Sequence, residues 1–260
     1  GEKVSLWNRS RINIEEIMNT KAIRCSGILN GSAKLHKVSD DLSAVLSDTI
    51  FIATPTTAYK DLAKLMAKIL LSDTIIYLNP GRTFGAIEFY DYLKKNGCIK
   101  MPVIVEAQSI IYTCRKIGRT QVNIYALKSA VAIAHIGGAD EEVKSRVPAC
   151  IRDRFLMAHS VLETSFNNIG MILHCAPVLF NIGWIESDLY QFEYYYDGIS
   201  ETIAEVLERM DQERVKVASG MGIQAKSLIQ WFQDAYHIKE KSIFQCIRKN
   251  QAYRNIDAPI

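Results

Sequence analysis

Two short uncharged runs, 49–53 (TIFIA) and 74–78 (TIIYL), flank a stretch with apolar residues three and four apart, and this arrangement constrains the chain more than any other feature. Both runs are rich in β-branched residues and are apolar at consecutive positions. They stop at Thr54-Pro55 and at Asn79-Pro80-Gly81. A strand that is apolar on successive residues needs cover on both faces, which is the condition of a buried parallel strand. Between the runs, Leu62, Leu65, Met66, Ile69 and Leu70 stripe residues 58–71 as an amphipathic helix. Strand, helix and strand make a βαβ unit, so the region is committed to an α/β sheet.

The neighbouring sequence extends that plan. Val4 to Trp7 reads as a strand ending at Asn8-Arg9-Ser10, and 87–95 reads as a helix. Val103-Ile104-Val105 reads as a strand running into Glu106-Ala107-Gln108-Ser109, and 122–125 and 130–135 read as extensions of the sheet. From Val161 the texture becomes helical. Over 199–217, Ile203, Val206, Leu207, Met210 and Val215 form one side and charges the other, and 225–237 and 243–253 continue in the same manner. The expected architecture is a mostly parallel α/β domain over residues 1–157, followed by a mainly α-helical domain over 158–260. No proline- or glycine-rich linker marks the boundary.

Composition narrows the function classes. The chain of 260 residues is 48% hydrophobic and 23% charged, with a net charge of +3, which excludes collagen-like and disordered classes. The charges are interspersed, so nucleic acid is not an expected partner. Apolar stretches such as 130–136 and 169–173 fall short of the roughly 20 residues that a membrane helix needs. The cysteines (Cys25, Cys98, Cys114, Cys150, Cys175, Cys246) form no CxxC pair and no metal-ligand spacing. They read as buried, reduced thiols in a cytoplasmic protein without a metal.

In a doubly wound sheet, ligands lie beyond the carboxyl ends of the strands. The segments at those ends are Asn8-Arg9-Ser10, Thr54-Pro55, Asn79-Pro80-Gly81-Arg82 and Glu106-Ala107-Gln108, and together they are the candidate cofactor site. An acidic residue after the strand ending at Trp7 would suit the ribose hydroxyls of NAD. The sequence instead reads Asn8-Arg9-Ser10-Arg11, with no carboxylate before Glu15. A guanidinium and a hydroxyl suit a 2′-phosphate, so NADP is the expected cofactor, with NAD as the alternative. The only relaxed GxGxxG, 220–225, follows a helical pattern and reads as a helix break. Of His36, His135, His159, His174 and His237, His174 stands out because it precedes the break Cys175-Ala176-Pro177 and lies near Asn181 and Gly183.

These segments also carry a family resemblance. NPGRTFGAIEF (79–89), VEAQS (105–109) with YTCR (112–115), HCAP (174–177) with Asn181, FEYYYDG (192–198) and DQER (211–214) resemble the opine (octopine/nopaline) dehydrogenase family over nearly the whole chain. The resemblance implies a Rossmann domain and a helical domain of the 6-phosphogluconate dehydrogenase C-terminal-like kind. It also implies reductive condensation of an amino acid with a 2-oxo acid by NAD(P)H, with His174 as the catalytic acid and base. Substrate carboxylates call for a cationic partner; Asn181 and Arg115 are the substrate-side candidates, and Arg82 remains an alternative to Arg115.

Against the family pattern, the first strand and its glycine-rich phosphate loop are missing ahead of Val4. A downstream stretch bearing an acidic partner for the histidine and a substrate-binding arginine is missing after residue 260. The chain is therefore expected to be an excerpt of a longer product, inactive alone. The runner-up reading is a two-domain NADP dehydrogenase of the 2-oxo acid or glycerol-phosphate type, which would use a lysine. A non-catalytic fragment or oligomerisation module is the alternative of another class. The expected partners are an amino acid and a 2-oxo acid, with a second copy of the chain as a homodimer.

Overall fold

The uncharged runs of the sequence become strands hidden on both faces, and the polar segments between them become turns. The computed structural model describes residues 2–189 and 191–259. In chain order it contains β1 (Ser5–Trp7), α1 (Arg11–Thr20), β2 (Ala22–Gly27), β3 (Gly31–Lys34), β4 (Lys37–Ser39), β5 (Thr49–Ile52), α2 (Tyr59–Met66), β6 (Ile75–Leu78), α3 (Gly85–Lys95), β7 (Val103–Ala107), β8 (Tyr112–Gly118), β9 (Gln121–Leu127), β10 (Val131–Ile136), α4 (Asp140–Arg146), α5 (Ala149–Arg152) and β11 (Phe155–Met157). The helical half follows with α6 (Val161–Phe166), α7 (Gly170–Leu173), α8 (Cys175–Phe180), α9 (Ile182–Ile185), α10 (Glu201–Gly220), α11 (Leu228–Tyr236) and α12 (Ile243–Lys249).

The central sheet runs in the order β11-β10-β7-β6-β5. Strands β5, β6 and β7 are parallel, with Ile52 opposite Leu78 and Leu78 opposite Glu106. β10 joins β7 antiparallel and β11 runs parallel to β10. Each residue of β6 is buried, and alternate side chains serve opposite faces. Ile76 and Leu78 pack with Tyr59, Met66 and Phe89 of α2 and α3, whereas Ile75 and Tyr77 pack with Ile111, Ile133 and Val143. This two-sided cover is what the uninterrupted apolar runs require.

β1 and β4 form a separate parallel pair, and Trp7 packs against the cluster built on β5, β6 and α2. The helix expected over 58–71 is shorter: it ends at Met66, and Leu65 stays half exposed. The segment 122–125 does not extend the central sheet. It lies in β9, inside a second sheet of order β3-β2-β9-β8, because β8 folds back on it as an antiparallel hairpin and β2 pairs along its other edge.

The chain divides into two compact units, Gly1–Ser165 and Phe166–Ile260. The first extends to Ser165 because the hydroxyls of Thr164 and Ser165 donate to the buried Glu106 carboxylate, at 2.7 and 2.6 Å. In the second unit, α10, α11 and α12 close on Leu207, Leu228, Phe232, Ile243 and Ile247. Serine side chains cap all three helices: Ser200 accepts from the Ile203 amide, Ser227 forms a capping box with Gln230, and Ser242 accepts from the Gln245 amide.

The buried stripe of α10 is Ala204, Leu207, Asp211, Arg214 and Ala218. The expectation that charges occupy its outer side therefore fails for Asp211 and Arg214. These two satisfy each other inside the unit, with Arg214 Nε and Nη2 donating to Asp211 Oδ1 at 3.0 and 2.6 Å. The cysteines are free, but only Cys246 is buried; Cys114, Cys150 and Cys175 are exposed, against the expectation of buried thiols. Cys114 is exposed because it lies on β8, an edge strand of the second sheet. Among the described residues no helix is long and apolar enough to cross a membrane.

Candidate active site

The parallel register aligns the carboxyl ends of β5, β6 and β7, so Thr54-Pro55, Asn79-Pro80-Gly81-Arg82 and Gln108 share one edge of the central sheet. The segment after β1 reaches the same edge. Arg9 Nη1 lies 3.9 Å from Asp61 Oδ2 in the first turn of α2, the helix that follows β5. Both side chains are more than two-thirds exposed, so this pair contributes little and leaves the guanidinium available. Asn8 is partly buried, its Oδ1 accepting from the Ser10 amide at 2.9 Å just before α1. Two polar atoms at the edge, Thr54 Oγ1 and Asn79 Oδ1, are buried without a hydrogen-bond partner.

Glu106 organises the edge from within. It is fully buried, and its carboxylate accepts from Thr164, Ser165 and the Ala86 amide, the last at 3.0 Å at the start of α3. A carboxylate at a helix N-terminus is favourable. Burial nevertheless pushes its pKa upward against the lowering effect of those hydrogen bonds. Gly81 packs onto it so closely that a Cβ would stand 2.4 Å from Glu106 Cγ. The Asn79-Pro80 peptide is cis, the Pro80 carbonyl accepts from the buried Tyr59 hydroxyl at 3.0 Å, and Arg82 is exposed with φ of 63°.

In the second unit His174 is exposed at the junction of α7 and α8. The Tyr194 hydroxyl donates to the His174 carbonyl at 2.8 Å and contacts the Leu173 carbonyl at 3.2 Å, fixing the break in the backbone. The Tyr195 hydroxyl stands 3.5 Å from His174 Nδ1, and both tyrosine rings lie within 6.4 Å of the imidazole. Burial holds Tyr195 neutral, and its ring stacks on Tyr253 at 4.0 Å. Asn181 Nδ2 donates to the Pro177 and Gly198 carbonyls, both at 2.8 Å, tying the end of α8 to the FEYYYDG segment.

Over an alignment of 268 residues the chain is 30% identical to an opine dehydrogenase of Arthrobacter sp. (strain 1C), covering all of this chain and 73% of that protein. The chain belongs to the opine dehydrogenase family. It is an opine dehydrogenase-type NAD(P) oxidoreductase, and residues 157–260 match the family described as NAD/NADP octopine/nopaline dehydrogenase, alpha-helical domain. A solved octopine dehydrogenase in complex with NADH and agmatine superposes with a TM-score of 0.79 at 16% identity, over all of this chain and 73% of that one. An NADP+-bound yersinopine dehydrogenase superposes with a TM-score of 0.75 at 13% identity, over 90% and 62%. Both confirm a Rossmann-type domain followed by a helical domain.

Other residues singled out in this opine dehydrogenase-family sequence lie elsewhere. Arg115 is exposed on β8 in the second sheet. His135 pairs with Asp140 at 2.9 Å, and His237 closes α11 with φ of 57°. The 220–225 segment ends α10, with Gly222 at φ 74°, so it is a helix break. A recess of about 390 Å³ lined by Ser72, Asp73, Thr74 and Lys100 opens beside Thr74 and Val103, at the amino ends of β6 and β7 and opposite the candidate edge. Among the described residues no group of three or more His, Cys, Asp or Glu side chains could hold a metal. Sequence reasoning missed Tyr194 and Tyr195 as supports of His174, for which the run of three tyrosines was a signal.

Proposed function

We propose that the protein catalyses NADPH-dependent reductive condensation of an amino acid with a 2-oxo acid, acting on a CH–NH bond. The observation that carries this reading is the exposed imidazole of His174, held at a backbone break by Tyr194 in a chain of this family. An imidazole can take a proton from the substrate ammonium and return one as the carbonyl oxygen departs as water. Asn181 holds the α8 end beside it.

The first unit fits the cofactor. Arg9 and Ser10 would take the 2′-phosphate, the absence of a carboxylate in Asn8-Arg9-Ser10-Arg11 favouring NADPH over NADH. Thr54, Pro55, Asn79, Pro80, Gly81, Arg82 and Gln108 would line the edge, with the partnerless oxygens of Thr54 and Asn79 the groups most in need of a partner. Glu106 would act at one remove, by holding the 79–82 turn and α3 in place. The cofactor, when bound, supplies a hydride. Arg115 is a substrate-side candidate on charge alone.

The test is oxidation of NADPH, and separately of NADH, by the full-length protein with 2-oxo acids in the presence and absence of amino acids. Amine-dependent turnover preferring NADPH is expected, and His174→Ala should lower turnover at least about a hundredfold. Turnover without amine, or an unimpaired His174→Ala protein, overturns the reading.

A further inference from the structure

We propose that Lys128, Ser109 and Arg82 form an oxyanion subsite that takes the carboxylate of a substrate acid. The proposal rests on the condensation reading above, and it adds to that reading a cation at the strand-end edge of the first unit to meet a carboxylate.

Four hydrogen bonds build the subsite. The Gly81 amide donates to the Ala107 carbonyl at 2.9 Å, laying the turn after β6 against the end of β7. Arg82 is the next residue on one side, and Ser109 lies two beyond Ala107 on the other. Lys128 follows β9, where its amide donates to the Ile111 carbonyl at 2.9 Å and its own carbonyl accepts from Arg154 Nη1 at 3.0 Å. Its backbone is thus fixed, and its Nζ donates to Ser109 Oγ at 2.7 Å.

The charges are uncompensated. Some cations of the chain have carboxylate partners, as in Arg146 with Asp48 and Lys226 with Asp234. Among the described residues no ion pair includes Lys128 or Arg82. Partial desolvation, and then the nearby Arg82 charge, hold the Lys128 ammonium below its ordinary range. Two neighbouring cations without an anion repel, and an oxyanion between them relieves that cost while accepting charge-assisted hydrogen bonds.

Position selects the ligand. Arg9 stands by Asp61 behind β5, whereas Ser109 follows β7, two strands further along the sheet. At about 4.8 Å per strand, the two cationic points lie on the order of 10 Å or more apart. An adenosine phosphate at Arg9 leaves the Lys128 end for the reacting partners. The 2-oxo acid and the amino acid both carry a carboxylate, and kinetics separate them.

The experiment compares the full protein with Lys128→Met, Lys128→Arg and Ser109→Ala. Ligand-observed NMR measures binding of pyruvate, its uncharged amide and L-alanine, alongside KM values and NADPH affinity. Lys128→Met should weaken one acid about tenfold to a hundredfold, with NADPH affinity within about twofold and the amide unaffected; Lys128→Arg should recover most of the loss. A loss confined to pyruvate assigns the oxo acid, and a loss confined to L-alanine the amino acid. Equal binding of both acids by wild type and Lys128→Met, or a loss confined to NADPH, overturns the subsite. Lys128-dependent binding in a protein without amine-dependent turnover would instead overturn the condensation reading and leave the subsite standing.

Discussion

Replacing Asp211 by alanine removes the anion from the interior of the helical unit and strands its partner. Arg214 is about 1% exposed and Asp211 about 7%. The lost carboxylate accepts from Arg214 Nε and Nη2 and, through Oδ2, from the Leu228 amide at 2.7 Å at the start of α11. Arg214 keeps only two carbonyl acceptors, Phe166 and Lys226. Removing one partner of a buried pair leaves an uncompensated charge and costs about 3–5 kcal/mol. At roughly 4 °C or more per kcal/mol in a unit of this size, the melting temperature of the helical unit should fall by at least about 12 °C. Urea unfolding followed by tryptophan fluorescence is the assay, since Trp184 and Trp231 lie in this unit and Trp7 in the other. The double variant Asp211→Ala, Arg214→Met removes both charges and should recover most of the loss. A single-variant cost under about 1 kcal/mol, or a double variant no better than the single, refutes the reasoning.

Glu106 makes the first unit sensitive to pH. Its folded-state pKa is raised by burial above the ordinary value of 4.5, so over that window the folded protein binds more protons than the unfolded chain and stability falls as pH rises. Urea midpoints measured upward from pH 4.5 should decline less in Glu106→Gln than in wild type, and parallel curves would contradict this. Gly81→Ala drives a methyl group into Glu106 and should cost about 1–3 kcal/mol in the same denaturation assay; an unchanged midpoint would show that the contact yields freely.

What the sequence revealed depended on whether a local pattern carried the physics. TIFIA and TIIYL could be read as covered strands because burial on both faces leaves no polar position, and the strand-end turns followed from proline and glycine. The second sheet was hidden because β3 and most of β8 are exposed, so neither alternates apolar with polar residues. The Asp211–Arg214 pair defeated helical periodicity, since an ion pair can occupy a core stripe only when both partners arrive together. Glu106 read as a polar strand end although it faces inward, because its hydroxyl donors come from residues almost sixty positions later. His174 was legible as a residue, through its helix break and family likeness, whereas its support by Tyr194 and Tyr195 arises only in three dimensions.

The antiparallel bridge between Glu193 and Asp257, flanked by bonds from the Tyr194 amide to the Ile256 carbonyl at 2.7 Å and from the Ala258 amide to the Phe192 carbonyl at 3.0 Å, acts as a clip. Tyr194 is held by that clip through its backbone and grips the His174 carbonyl through its phenol. Strain placed on residues 256–258, whether from a fused tag or a surface attachment, would therefore reach the backbone of His174 through the Tyr194 phenol.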